Sequence, residues 1–219
     1  GDEPFHVYYL TISGHMPYSS NRVANQYRDI VDALPYSETT RNYLATCIEV
    51  DRALEELLAK LEQAGKLDKT LIVASADHVP YFNVDTLEEL SGEAFGSSAD
   101  LEMLSMEKPV HVSKVCGQVD ILPTVSNLLG LAYDSRMLTG TDILSDCEGM
   151  VIFHSRSWKT DKGYYNRYTQ EFTPADGISM TAQEQEDYVS AMKKQVSNKL
   201  SCTELIVEKN FYQYVFKNK

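Results

Sequence analysis

With 219 residues, 43% of them hydrophobic, the chain is long enough for one well-packed domain or a domain with a small appendage. Its 32 acidic residues against 20 basic give a net charge of −12, which repels phosphate backbones and, with no basic stripe, argues against nucleic acid as a partner. No run of about eighteen apolar residues is present to span a bilayer, and no basic-then-apolar leader marks a signal peptide.

The first segment with a clear pattern is 5–12, a nearly continuous run of aromatic, aliphatic and β-branched residues. Such a run predicts a strand covered on both faces, as in a parallel sheet. It exits into Ser13-Gly14-His15, a turn-like sequence. Residues 21–34 read as weakly periodic helix. After Pro35 the apolar residues Tyr43, Cys47, Val50, Leu54, Leu57, Leu58 and Leu61 recur every three or four positions, which predicts one amphipathic helix over 38–64 closed by Gly65. A second apolar run over 70–76 predicts another buried strand, and strand–helix–strand in this order implies a right-handed parallel crossover. Residues 84–90 suggest a short helix and 94–100 a loop. Asp120 and Pro123 sit at the head of a helix running to Gly130.

After Gly140 the texture changes. Short strands are expected over 150–153, 157–160 and 164–172, with Lys162-Gly163 turning between the last two. Thr181 and Glu184 form a capping box that opens a helix to about Leu200. The chain therefore divides into an α/β part, 1–148, and a smaller antiparallel part with a helix, 149–219. Its four cysteines are widely scattered and read as small buried hydrophobes rather than as a disulfide framework.

In a parallel sheet, ligands gather at the carboxyl ends of the strands. Two polar clusters fall there. Asp77-His78 can supply a carboxylate oxygen and an imidazole nitrogen to one divalent cation, a mixed donor set that suits manganese or zinc better than calcium. The same pair is equally the signature of a turn or a helix cap. His15 can act on a phosphate or as a general acid–base across the crevice, or it is a plain loop residue. His6 reads as a core histidine, His111 and His154 have no polar partners nearby in sequence, and Trp158 with its tyrosines reads as the body of the small sheet.

These residues resemble the lipoteichoic-acid-synthase-like sulfatases of the alkaline phosphatase superfamily. Pro4-Phe5 through Thr11-Ile12-Ser13-Gly14-His15-Met16-Pro17-Tyr18 is similar to the family segment that carries a substrate-binding histidine. Tyr43-Leu44, Asp51 and Ala53-Leu54, then Leu71-Ile72-Val73 into Ala76-Asp77-His78, resemble its helix and metal-binding pair. Gly117 to Thr124, Asn127 to Gly130, Asp134-Ser135-Arg136 and Gly140-Thr141-Asp142 continue the match. It covers about residues 4 to 165 with the motifs in order.

The resemblance implies a partial alkaline-phosphatase-like sandwich, with helices around a parallel or mixed sheet. It implies Asp77 and His78 as metal ligands, His15 as a contact to the substrate's phosphoglycerol group, and manganese as the ion. The implied chemistry is attack by a threonine on a phosphatidylglycerol-type lipid or a related anionic ester, at the extracellular face of the membrane in the full-length protein. The family's threonine nucleophile and a metal-binding glutamate lie upstream of the His15 segment, in the N-terminal half of the domain, so neither is expected within residues 1–219. The family's Pro-Phe-Ile-Ile strand is here Pro109-Val110-His111-Val112. Two readings follow: the metal-site half of a phosphoglycerol transferase or sulfatase-like hydrolase, inactive alone, or a non-catalytic binding module of the same descent.

Overall fold

The computed structural model describes residues 3–19, 22–78, 86, 89–90, 102–104 and 110–217. They form two compact units, Gly1–Glu107 and Lys108–Lys219. In the first, a 3-10 turn over Ala24–Tyr27 runs into the short helix α1, Arg28–Val31, and the long helix α2 follows as Glu38–Gln63. The two helices close over Val31 and Ala45, both fully buried, with Tyr27, Leu34, Leu44 and Ile48 packed around them.

The start of α2 is fixed from two sides. Ser37 caps it by accepting from the Thr40 N–H at 3.3 Å. The Glu89 carboxylate then accepts from the Ser37 hydroxyl at 2.7 Å and from the Thr40 hydroxyl. An anion at a helix N-terminus is favoured by the unpaired N–H groups and the dipole there. The far end closes as sequence predicts: Gly65 takes φ +64 and Lys66 N–H reaches back to Leu61 O at 2.9 Å.

The predicted apolar stripe of α2 is real but half-buried; the buried positions are Thr40, Asn42, Ala45 and Thr46, all in the N-terminal half of the helix. A 3-10 turn, Leu67–Lys69, leads into strand β1, Ile72–Ala74. β1 pairs antiparallel with β2, Glu102–Leu104. The run 5–12 joins no ladder among the described residues, and Phe5, Tyr8, Tyr9, Leu10 and Ile12 are exposed. The parallel crossover expected from 5–12, α2 and 70–76 is therefore not formed by these elements. A buried-type strand needs neighbours on both edges and both faces, and among the described residues no strand pairs with 5–12. For the same reason His6 is exposed rather than a core histidine. Of the short helix expected over 84–90, Thr86, Glu89 and Leu90 are helical, while the loop expected over 94–100 lies outside the described residues.

In the second unit a 3-10 turn, Gln118–Asp120, opens helix α3, Ile121–Leu128. The Asp120 carboxylate is the joint of this region. It accepts from the Gly117 N–H at 2.9 Å and from the Thr141 N–H at 2.7 Å, so the start of α3 and the 140–142 loop share one anion. A four-stranded antiparallel sheet follows in simple order: β3 Met150–Ile152, β4 Trp158–Thr160, β5 Gly163–Tyr165 and β6 Phe172–Pro174. The stretch read as one strand over 164–172 is thus a hairpin. Its chain reverses over 166–171, where Asn166 N–H bonds Glu171 O and Gln170 takes φ +62.

Helix α4, Ala182–Glu208, begins at the predicted capping box: Glu184 N–H donates to Thr181 Oγ1 and Thr181 N–H to the Glu184 carboxylate. Met192 and Val196 face the sheet, where Trp158 and Tyr165 stack with ring centroids 5.3 Å apart. Trp158 is therefore core, as the body of the small sheet should be. The helix runs two turns beyond Leu200, and Asn210 in the left-handed conformation turns the chain into α5, Phe211–Phe216. The fold is mixed α/β, with helices and a four-stranded antiparallel sheet. No disulfide joins Cys47, Cys116, Cys147 and Cys202. Among the described residues no helix is long and apolar enough to cross a membrane.

Candidate metal and substrate site

Two segments of the first unit that sequence singled out come together. The His15 turn is tied by His15 N–H to Ile12 O at 2.9 Å and rests on α2. An added methyl at Gly14 would touch Val50 at 3.4 Å, and the Tyr18 ring packs edge-on against Tyr43 at 5.3 Å. Val50 and Tyr43 belong to the apolar stripe of α2, so the stripe's exposed-looking half is the seat of the histidine turn. Burial raises the Tyr18 hydroxyl pKa, and burial with the neighbouring Cys47 raises that of Tyr43 further. Neither phenol is then ionised near neutral pH, and Cys47, pushed up by burial, stays a thiol.

Asp77 and His78 lie beyond the end of β1. The His78 ring stands perpendicular to the His15 ring with centroids 6.5 Å apart. Residues sixty-three positions apart in the chain are thus neighbours at one exit of the unit. Asp77 Oδ1 accepts from the His78 N–H at 2.9 Å, the turn-forming role that sequence allowed. Its other oxygen, Oδ2, lies 3.6 Å from His78 Nε2. Two donors to one tetrahedral ion with bonds of about 2.0–2.2 Å stand roughly 3.4 Å apart. The pair's spacing and its oxygen–nitrogen chemistry therefore fit one divalent cation. Among the described residues no three His, Cys, Asp or Glu side chains are placed to hold a metal together, so this pair offers two donors of a set that needs more.

His15 Nδ1 lies 2.7 Å from Met16 O and, facing a carbonyl, must be the donor. Its Nε2 is then the acceptor of the neutral ring, and becomes a second donor when the ring is protonated. The side chains of Asp77 and His78 are both partly open to solvent, as an incoming anionic ester would need. Thr11 and Ser13 precede the histidine turn; Thr11 is exposed and in no strand. Sequence reasoning missed the supporting contacts of Tyr18, Tyr43 and Val50. The three-and-four spacing of Tyr43 and Val50 was visible, but nothing in the chain said that a loop, and not a sheet, covers that stripe.

The family model described as Sulfatase matches residues 1–131, which include the His15 turn, the Asp77-His78 pair and the Gly117 motif. The chain belongs to the sulfatase family. It is also similar to lipoteichoic acid synthases of Staphylococcus aureus strains USA300, NCTC 8325 and bovine RF122, at 23% identity over 235 aligned positions. Those alignments take in 98% of this chain and 34% of each synthase, so the chain spans about a third of the length of the curated relatives it matches. The sulfatase match ends before the four-stranded sheet, whereas the synthase alignments extend over nearly all of this chain.

Proposed function

We propose that this chain is the metal-site half of a phosphoglycerol transferase or sulfatase-like hydrolase of cell-envelope polymer synthesis. In this reading Asp77 and His78 hold the cation and His15 binds the substrate's charged group. The observation that carries it is the approach of the His15 and His78 rings, with Asp77 alongside, in a chain of sulfatase descent. In this reading the substrate of the full-length protein is a phosphatidylglycerol-type lipid, its ion manganese and its place the outer face of the membrane, as the family resemblance implies; the similarity to lipoteichoic acid synthases supports the polymer-synthesis side of the reading.

The bound cation would neutralise charge on the phosphoryl or sulfuryl oxygens. This chain's own residues do the rest of the positioning. Asp77 uses one oxygen to shape its turn and presents the other beside the His78 ring. His15, its Nδ1 anchored on Met16 O, presents Nε2 to an anionic oxygen, as a donor once protonated. The attacking group in this reading is a threonine, which the family resemblance places ahead of the His15 segment.

Manganese titration followed by thermal unfolding tests the ligands. Binding to the folded state alone must raise the melting temperature, and the rise should vanish in Asp77→Ala and His78→Ala. A rise that survives both substitutions removes the assignment. Turnover tests the second half of the reading. The chain alone should hydrolyse neither a chromogenic phosphodiester nor a sulfate ester beyond a trace with manganese present. Saturable turnover abolished by Thr11→Ala or Ser13→Ala would place the nucleophile inside this chain and overturn it.

A further inference from the structure

The second unit carries a groove of about 430 Å³ between α4 and the 136–139 segment. Its walls include Arg136, Lys194, Gln195, Asn198, Lys199 and Thr203, and no acidic side chain lines it. That is unusual ground in a chain of net charge −12. The helix explains it. From Tyr188 to Thr203, α4 has lysines at 193, 194 and 199 and no acid at all. Met192 and Val196 turn one face of the helix into the core, and Lys193 lies over the Tyr165 ring at 4.8 Å. Lys194, Gln195, Asn198 and Lys199 succeed one another at helical spacing along the flank that starts opposite the core face and ends beside it at half-buried Lys199, so they line one side of the groove.

Two of the three cations are held in place. Lys199 Nζ donates to Thr139 O at 2.8 Å, tying the helix to the opposite wall while keeping its charge and its other N–H groups. Arg136 is clasped by Asp134 through Nε at 2.8 Å and Nη2 at 2.6 Å. Asp134 cancels that one charge; Nη1 remains uncommitted among the described residues. Lys194 has no carboxylate within ion-pair distance among the described residues. The groove thus keeps a net positive charge, with amide and hydroxyl groups beside it and the apolar side chains of Leu138 and Ile206 in its lining.

We propose that this groove binds a phosphate ester carried on a small hydroxylated skeleton. Lys194 and Lys199 take the phosphate oxygens, and Gln195, Asn198 and Thr203 take the hydroxyls. The inference does not rest on the Asp77-His78 reading, and its test leaves that pair out. Binding of inorganic phosphate and of glycerol 3-phosphate to the whole chain is measured by calorimetry with EDTA present, at low and at moderate salt. Binding to vesicles of phosphatidylglycerol and of phosphatidylcholine is measured in parallel. Glycerol 3-phosphate should bind more tightly than inorganic phosphate, weaken with salt, and lose about tenfold or more in affinity in Lys194→Glu, with a smaller loss in Lys194→Gln. His78→Ala should bind as the parent does. If only phosphatidylglycerol vesicles bind, and Lys194→Glu releases them, the ester is a lipid headgroup; if the soluble ester binds, it is free or polymeric. Lys194 is exposed, so its variants should keep the parent's unfolding midpoint; if they do not, Asn198→Asp brings a negative charge into the groove and should weaken binding equally. Absence of binding to every probe, or binding indifferent to Lys194 and Asn198, overturns the proposal.

Discussion

Asp120 offers the sharpest test of how the second unit holds together. It sits in the Gly117–Thr124 motif, where an acidic residue invites a catalytic reading, yet its surroundings are those of a structural clasp. The side chain is 5% exposed, with one oxygen on the Gly117 N–H and the other on the Thr141 N–H. A hydrogen bond to a charged group contributes about 1.5–3 kcal/mol net, so two would give about 3–6 kcal/mol. Thr141 lies at the surface, and water can replace part of its loss. Asp120→Ala should therefore cost about 2–4 kcal/mol. For a unit of the size of Lys108–Lys219, at about 4 °C per kcal/mol, that is a fall of roughly 8–16 °C in its melting temperature. Asp120→Asn keeps one acceptor and turns an NH₂ toward the other N–H, so it should recover less than half of the loss. Differential scanning calorimetry with far-UV circular dichroism reads both. A midpoint for Asp120→Ala within about 2 °C of the parent would refute the clasp, since so small a shift is below one lost hydrogen bond.

Other perturbations probe different contacts. Gly140→Ala would set a Cβ 1.9 Å from Val119 O, so the 140–142 loop must move and the variant should unfold at clearly lower urea than the parent. Trp158→Ala should cost about 3–5 kcal/mol in the second unit. Trp158→Phe should cost much less than that, because the indole N–H is buried with no partner among the described residues and its removal relieves a desolvated donor. Glu184 is held below the usual carboxylate range by the Thr181 N–H and then its hydroxyl, and Glu89 by the Thr40 hydroxyl and then Ser37. A carboxyl depressed in the folded state stabilises above its unfolded pKa, about 4.3, and that stability drains away as pH falls through the lower folded value. Helical signal followed from pH 7 to pH 2 should fall below about pH 4.5, and more shallowly in Glu184→Gln and Glu89→Gln.

Local signals in the chain were readable wherever the deciding partner was close in sequence. The bounds of α2, its Gly65 stop and the Thr181–Glu184 box follow from spacing alone, because each is satisfied within a turn or two. The run 5–12 is the opposite case. Its composition says buried strand, but burial needs neighbours from elsewhere, and composition cannot say whether they arrive. The β1 partner, Glu102–Leu104, gave no warning, since a three-residue antiparallel pairing leaves no periodic trace. At the site, His15 and the Asp77-His78 pair were visible as residue types at turn-like exits. Their approach was not, for it depends on Tyr18, Tyr43 and Val50 seating the histidine turn on α2. The groove's lysines escaped notice because a charged strip on a helix usually means only a wet face.

The uncovered run from Phe5 to Ile12 also shapes how these molecules behave toward one another. Six large apolar side chains and a backbone that joins no ladder among the described residues make an adhesive stripe, the kind of edge through which chains pair. A net charge of −12 opposes that contact across the solution. The range of this repulsion is about 30 Å at 0.01 M salt and about 8 Å at physiological strength. Dilute buffer therefore keeps copies apart before their stripes can touch, while salt shortens the guard without weakening the stripe. Light scattering should therefore rise with added salt at temperatures where both units remain folded.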